Sequence, residues 1–319
     1  MSELHTGDVQ DDVDPKIREF VNGINAGYDA LLPETPLSMP ERRAIAERVR
    51  EPWRSGGPRM AETQDYDVVG VRLRVHRPTD AASLPAMLYI HGGGWALFSI
   101  DTHDRLMREY ASRAGIVVVG IDYSLSPEAK FPAALNEAVS AIGWMRENAD
   151  DLGIDPARIA VGGDSAGGNL AVSTCLKLRE LGLPQLQGMV LNYGAFAPDH
   201  TPSYARYDGP NYCLTVDEMD AFWDDYLADP SQKSDPLAVP TLGDLHDLPP
   251  AFMAIAKLDI LRDCNHTLAE KLADVGVAVE AVEYETATHS FLEAMSIAPL
   301  ASRALDDQAK WLRSALGVV

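Results

Sequence analysis

The chain has 319 residues, 46% of them hydrophobic, enough to bury one large core or two ordinary ones and too apolar for a disordered segment. With 48 acidic against 27 basic residues the formal charge is −21, a field that repels nucleic acid and anionic lipid and excludes both as partners. No apolar stretch approaches the roughly 20 residues that cross a bilayer, so no membrane span is expected.

The first eight residues are acidic, with neither a basic start nor an apolar core, so they do not read as a secretory signal and a cytoplasmic location is expected. Residues 15–50 read as polar helix, with Ile17, Phe20, Val21 and Ile24 at helical spacing. Residues 66–75 alternate as half-buried antiparallel strand does. Short apolar runs at 86–90, 116–121, 158–161, 188–191, 251–256 and 279–284 then alternate with helical patterns. Strands separated by helices imply right-handed crossovers and a mostly parallel sheet covered on both faces, so the fold class is α/β. Residues 195–250 break that rhythm. They are rich in proline and aromatics and lack a clear strand, as expected of a lid over a site. Tyr204, Tyr207, Tyr212, Phe222 and Trp223 in this interval are expected to pack rather than to bind.

Cys175, Cys213 and Cys264 are odd in number and widely spaced, which predicts idle or buried thiols rather than disulfides or a zinc site. No metal and no organic cofactor is expected.

Chemistry enters with Gly163-Asp164-Ser165-Ala166-Gly167, which joins an apolar strand to a helical pattern. Small residues around Ser165 allow the sharp turn that lifts a hydroxyl above a sheet and sets it at a helix N-terminus. An ordinary strand-to-helix turn is the competing reading of so short a motif. A serine nucleophile needs a base, and the base needs an orienting carboxylate. Of the downstream histidines only His289 follows a strand, by a short loop after 279–284. His266 reads as a solvated helix residue, and His200 and His246 fall in the irregular interval. The run 251–256 leads to Asp259, the expected carboxylate. Its rival Asp263 stands where it would cap the following helix. Before these, His91-Gly92-Gly93-Gly94-Trp95 follows a strand and offers bare backbone N–H groups. Gly92, Gly93 and Ala166 are the expected oxyanion donors. Neither phosphate-loop glycine pattern is present. Trp95 and Phe98, flanking this loop, and Asp164 beside the serine are candidate lining for a substrate pocket.

These residues, together with 122–128, 131–134, 259–263 and His289-Ser290-Phe291, make the chain resemble bacterial esterases of the hormone-sensitive lipase family, in the branch whose elbow reads Gly-Asp-Ser-Ala-Gly. The resemblance spans about residues 64–315. It implies an α/β-hydrolase fold with a mostly parallel central sheet flanked by helices and a helical cap. Residues 1–50 would supply N-terminal cap helices, and 51–319 the catalytic domain with a cap insertion at about 195–245. It implies the same triad and oxyanion hole, places Glu128 as a buried support near the site, and implies that a homodimer can form. Phe98 stands where the family commonly has glycine. The expected activity is hydrolysis of short- to medium-chain acyl esters of small molecules by a serine carboxylesterase. An amidase or arylformamidase would use the same groups. A non-catalytic binding protein on this fold would typically lack His289.

Overall fold

The computed structural model describes residues 12–33 and 35–318; the acidic N-terminal octet lies outside them. Eight strands form one sheet: β1 (Glu62–Val68), β2 (Val71–Arg77), β3 (Leu84–Ile90), β4 (Val117–Asp122), β5 (Ile154–Asp164), β6 (Met189–Asn192), β7 (Ala251–Leu258) and β8 (Val279–Thr288). Their spatial order is β1-β2-β4-β3-β5-β6-β7-β8. The β1–β2 and β2–β4 pairings are antiparallel and all others parallel. Parallel strands put their carboxyl ends on one rim, so whatever follows β3, β5, β7 and β8 meets there.

The apolar runs are explained by burial on both faces. In β4, Val117, Val119 and Ile121 enter one core while Val118 enters the other. In β7, Met253 and Ile255 divide from Phe252 and Ala254 in the same way. Successive side chains point to opposite faces, so a strand covered on both sides is apolar throughout. Helices Ala133–Glu147, Ala166–Glu180 and Arg262–Asp274 cover one face. Asp104–Ala114 and Pro299–Ala315 cover the other.

Three expectations change. The alternating segment 66–75 is two strands, because Val69 and Gly70 both take positive φ (55° and 83°) and turn the chain into a hairpin. A β-branched residue is a poor signal for such a turn, which is why it was hidden. The N-terminal helices are Pro15–Leu31 and Met39–Arg54, so the region ends past the expected residue 50. The Asp14 side chain accepts the N–H of Lys16 and Ile17, with Pro15 in the first turn, so the start of the first helix is well capped. Strand β8 continues to Thr288, so His289 follows it directly and not through a loop.

Between residues 195 and 250 lie helices Pro202–Arg206 and Val216–Tyr226, three 3-10 turns and only an isolated bridge, Gly209 to Leu214. Asn169, in the helix after the elbow, donates through Nδ2 to the carbonyls of Ala195 (2.8 Å) and Ala238 (2.9 Å). One buried amide thus pins two distant points of the irregular segment to the scaffold. The N-terminal helix joins it from the other side, Asn25 donating to the carbonyl of Pro210 (3.0 Å).

Candidate active site

Strand β5 ends at Asp164, and Ser165 caps the helix Ala166–Glu180 with φ 52° and ψ −118°. A non-glycine residue at positive φ costs about 1–3 kcal/mol and persists only where the surroundings enforce it. Here they do: a Cβ on Gly167 would strike the carbonyls of Ile90 and His91, and one on Gly163 would strike Ile90 and Gly167. The flanking glycines therefore let the elbow press against the end of β3.

Ser165, Asp259 and His289 are brought together from the ends of β5, β7 and β8. The His289 Nε2 lies 3.1 Å from Ser165 Oγ, and its Nδ1 lies 2.7 Å from Asp259 Oδ2. Asp259 Oδ1 accepts the N–H of Leu261 (2.9 Å), which fixes the carboxylate's rotation. All three residues are buried. Burial alone lowers the His289 pKa, but the charge and hydrogen bond of Asp259 outweigh it and hold the imidazole above its ordinary 6.5. The ring of Tyr193 meets His289 edge-on at 5.1 Å.

The rivals are occupied elsewhere. His200 pairs with Asp220 and His246 with Asp244, both on the surface, while His266 pairs with Glu283 (2.6 Å). Asp263 does not cap its helix. Leu261 holds the cap position, and Asp263 accepts the N–H of Ser203 (3.0 Å), tying the 202–206 helix to the body.

The glycine loop corrects one expectation. The N–H of Gly92 donates to Asp164 Oδ1 (3.1 Å), so it is not free for an oxyanion. The N–H groups of Gly93, Gly94 and Ala166 have no hydrogen-bond acceptor among the described residues. Gly93 and Gly94 line the same cavity as Ser165. The shift by one residue follows from Asp164, which also accepts from Tyr89 Oη (2.7 Å) and lies 3.4 Å from His103 Nε2. Burial pushes the Asp164 pKa up, yet His103 holds it below the usual carboxylate value. For His103 burial acts downward, and Asp164 overcomes it. Each partner thus favours the charged form of the other beneath the loop. His91 is stacked on Tyr123 (4.3 Å), and burial followed by the charge of His103 pushes it down to about 4.

A cavity of about 690 Å³ opens above Ser165 and His289, walled by both N-terminal helices, the glycine loop and the 216–226 helix. Phe98 and Asp164 line it as expected. Phe98 has φ 69°, in the left-handed region that favours glycine. Trp95 does not line it: fully buried, it stacks on Tyr226 at 4.2 Å and packs on Trp223 at 4.6 Å. Phe222, expected to be packing, lines the cavity. Glu128 is exposed rather than buried, and its carboxylate pairs with Arg43 of the second helix. The same guanidinium donates to the carbonyls of Ala96 and Ser126 (2.8 Å each), so this corner clamps the helix to the loop. The three cysteines are free, and Cys213, at the cavity wall, is pushed up to about 12 by burial. Among the described residues no group of three or more His, Cys, Asp or Glu is placed to hold a metal ion.

His103 and Gly94 are the main residues missed from sequence. Gly94 was legible in principle as the third glycine of the run. His103 carried no local signal, because its partner is 61 positions away.

Residues 87–293 match the sequence pattern of the α/β-hydrolase fold family. The chain belongs to that family. Its relatives place it in the hormone-sensitive-lipase-like esterase branch. It is 38% identical over 251 residues, 76% of this chain and 78% of the relative, to carboxylesterase NlhH of Mycobacterium tuberculosis. To the ethyl acetate hydrolase of Pseudomonas putida it is 35% identical over 300 residues, 89% of this chain and 93% of that one. Among solved structures, an esterase of Pyrobaculum calidifontis superposes with a TM-score of 0.87 at 35% identity, covering 95% of this α/β-hydrolase and 98% of that chain. An ester hydrolase from the Lake Arreo metagenome, complexed with a bipyridine phosphonate derivative, gives 0.89 at 30% identity, over 96% of this chain and 100% of that one.

Proposed function

We propose that this carboxylic ester hydrolase is a serine carboxylesterase acting on short- to medium-chain acyl esters. The observation that carries the reading is the continuous relay from Ser165 Oγ through His289 to Asp259, at 3.1 and 2.7 Å. Ser165 Oγ attacks the ester carbonyl as His289 Nε2 takes its proton, and Asp259 stabilises the imidazolium. The N–H groups of Gly93, Gly94 and Ala166 receive the oxyanion, each donor contributing roughly 10² to 10³ in rate. His289 returns the proton to the departing alcohol, leaving acyl-Ser165. Water, deprotonated by His289, then releases the acid.

The helices above the cavity act as a cap. Their closeness to Ser165 supports a restricted acyl chain, as does the name of the Pseudomonas putida relative, an ethyl acetate hydrolase. Strand β8 is the last of the sheet, and a homodimer through that edge belongs to the same proposal; sedimentation as a monomer at micromolar concentration would remove it. A p-nitrophenyl ester series from acetate to palmitate, set against aryl amides, tests the function. Turnover should peak at or below medium chains and exceed that of amides. A maximum at palmitate, or faster amide cleavage, contradicts it.

A further inference from the structure

Arg50 is a charged side chain in the cavity wall whose donors the protein leaves mostly unused. It sits in the second N-terminal helix, 5% exposed, and lines the cavity that holds Ser165. Its Nε lies 2.9 Å from Glu293 Oε2, in the 3-10 turn that follows His289, and its guanidinium carbon stands 4.8 Å from the centre of the Phe98 ring. A guanidinium carries five N–H donors. Those of Nε and Nη1 find no well-aligned acceptor among the described residues, and no other carboxylate pairs with the group. A buried, half-satisfied charge is costly, and a fold retains it where something else completes its hydrogen bonds.

We propose that Arg50 is a substrate-binding residue that donates hydrogen bonds to a second, uncharged oxygen of the ester, so the site favours neutral diesters over alkyl esters of equal length. This inference rests on the serine-esterase reading of the same cavity. Two features select a neutral acceptor. Glu293 already balances the guanidinium charge, and among the other charged side chains of the wall Asp29 and Glu218 outnumber Arg42, so a carboxylate would meet net negative charge. Phe98 fits the same picture: its positive φ turns the ring under the guanidinium, which holds the fork in place over the cavity.

The test compares dimethyl succinate, glutarate and adipate with methyl alkanoates of matched length and with the monomethyl half-esters. For the best-fitting length, the wild-type enzyme should show kcat/KM about tenfold or more above the matched alkanoate, because an analogue without the oxygen leaves buried donors unpaired. The half-ester anion should fall below the diester. In Arg50→Met combined with Glu293→Gln, which avoids stranding a lone carboxylate, the ratio should fall to near one. Arg50→Lys should give an intermediate ratio, and the wild-type ratio decides the matter if the double variant does not fold. Turnover of the alkanoates with a ratio near one at every length overturns the subsite alone. No hydrolysis of any ester, p-nitrophenyl butyrate included, overturns the esterase reading beneath it.

Discussion

The rim of the sheet that carries Ser165 and the helical layer above it are built on different principles. On the rim, position comes from backbone: Ser165 is held by a strained turn, Asp259 by the N–H of Leu261, and His289 by the last residue of β8. In the layer above, position comes from side chains meeting across long sequence distances, as in the Trp95 to Tyr226 stack and the Arg43 to Glu128 pair. On the proposed reading, a backbone-fixed rim should keep its geometry when the layer above changes in contour, so that chemistry and substrate choice would separate.

The largest effects should break the rim. His289→Ala should lower kcat on p-nitrophenyl butyrate by on the order of 10⁶, since relay members act as a unit. Asp259→Asn should cost about 10⁴, with the fold preserved in circular dichroism. Its pH profile sharpens the point. His289 must be neutral to act as a base and its pKa is raised, so wild-type kcat/KM should fall as pH drops, with a midpoint above 6.5. Removing the Asp259 charge should move that acid limb downward, and an unmoved limb would mean that Asp259 does not act on His289.

Weaker effects should appear in the upper layer and as stability rather than chemistry. Trp223→Ala empties a fully packed site beside Trp95 and should cost about 3–5 kcal/mol in denaturant unfolding. Its residual kcat on p-nitrophenyl acetate should stay within about tenfold of wild type; a larger loss would mean that the two regions are not separable. Glu128→Gln should be smallest, about 1 kcal/mol or less, because the carboxylate is exposed and screened. Unfolding curves at low and high salt should converge for this variant and the wild type.

The same division governs what the sequence reveals. Strand, elbow and chain order follow from local patterns, so Ser165, Asp259 and His289 are readable before any coordinates. Gly92 is less legible, because Asp164 reaches across from β5 to accept its N–H, a pairing that spacing along the chain does not encode and that moves the proposed donor to Gly94. Trp95 looks like pocket lining by adjacency, yet its ring turns away toward the 216–226 helix. Arg50 reads as an ordinary surface residue of a polar helix, and only the packing of that helix over His289 and Phe98 buries it.

Fluorophosphonate labelling followed by intact-mass and peptide mass spectrometry tests the nucleophile most directly. A single adduct on the native protein is expected, mapped to Ser165, blocking ester hydrolysis in proportion to labelling and absent from Ser165→Ala. An adduct that persists in Ser165→Ala, or a native protein that hydrolyses esters while resisting the label, would contradict it.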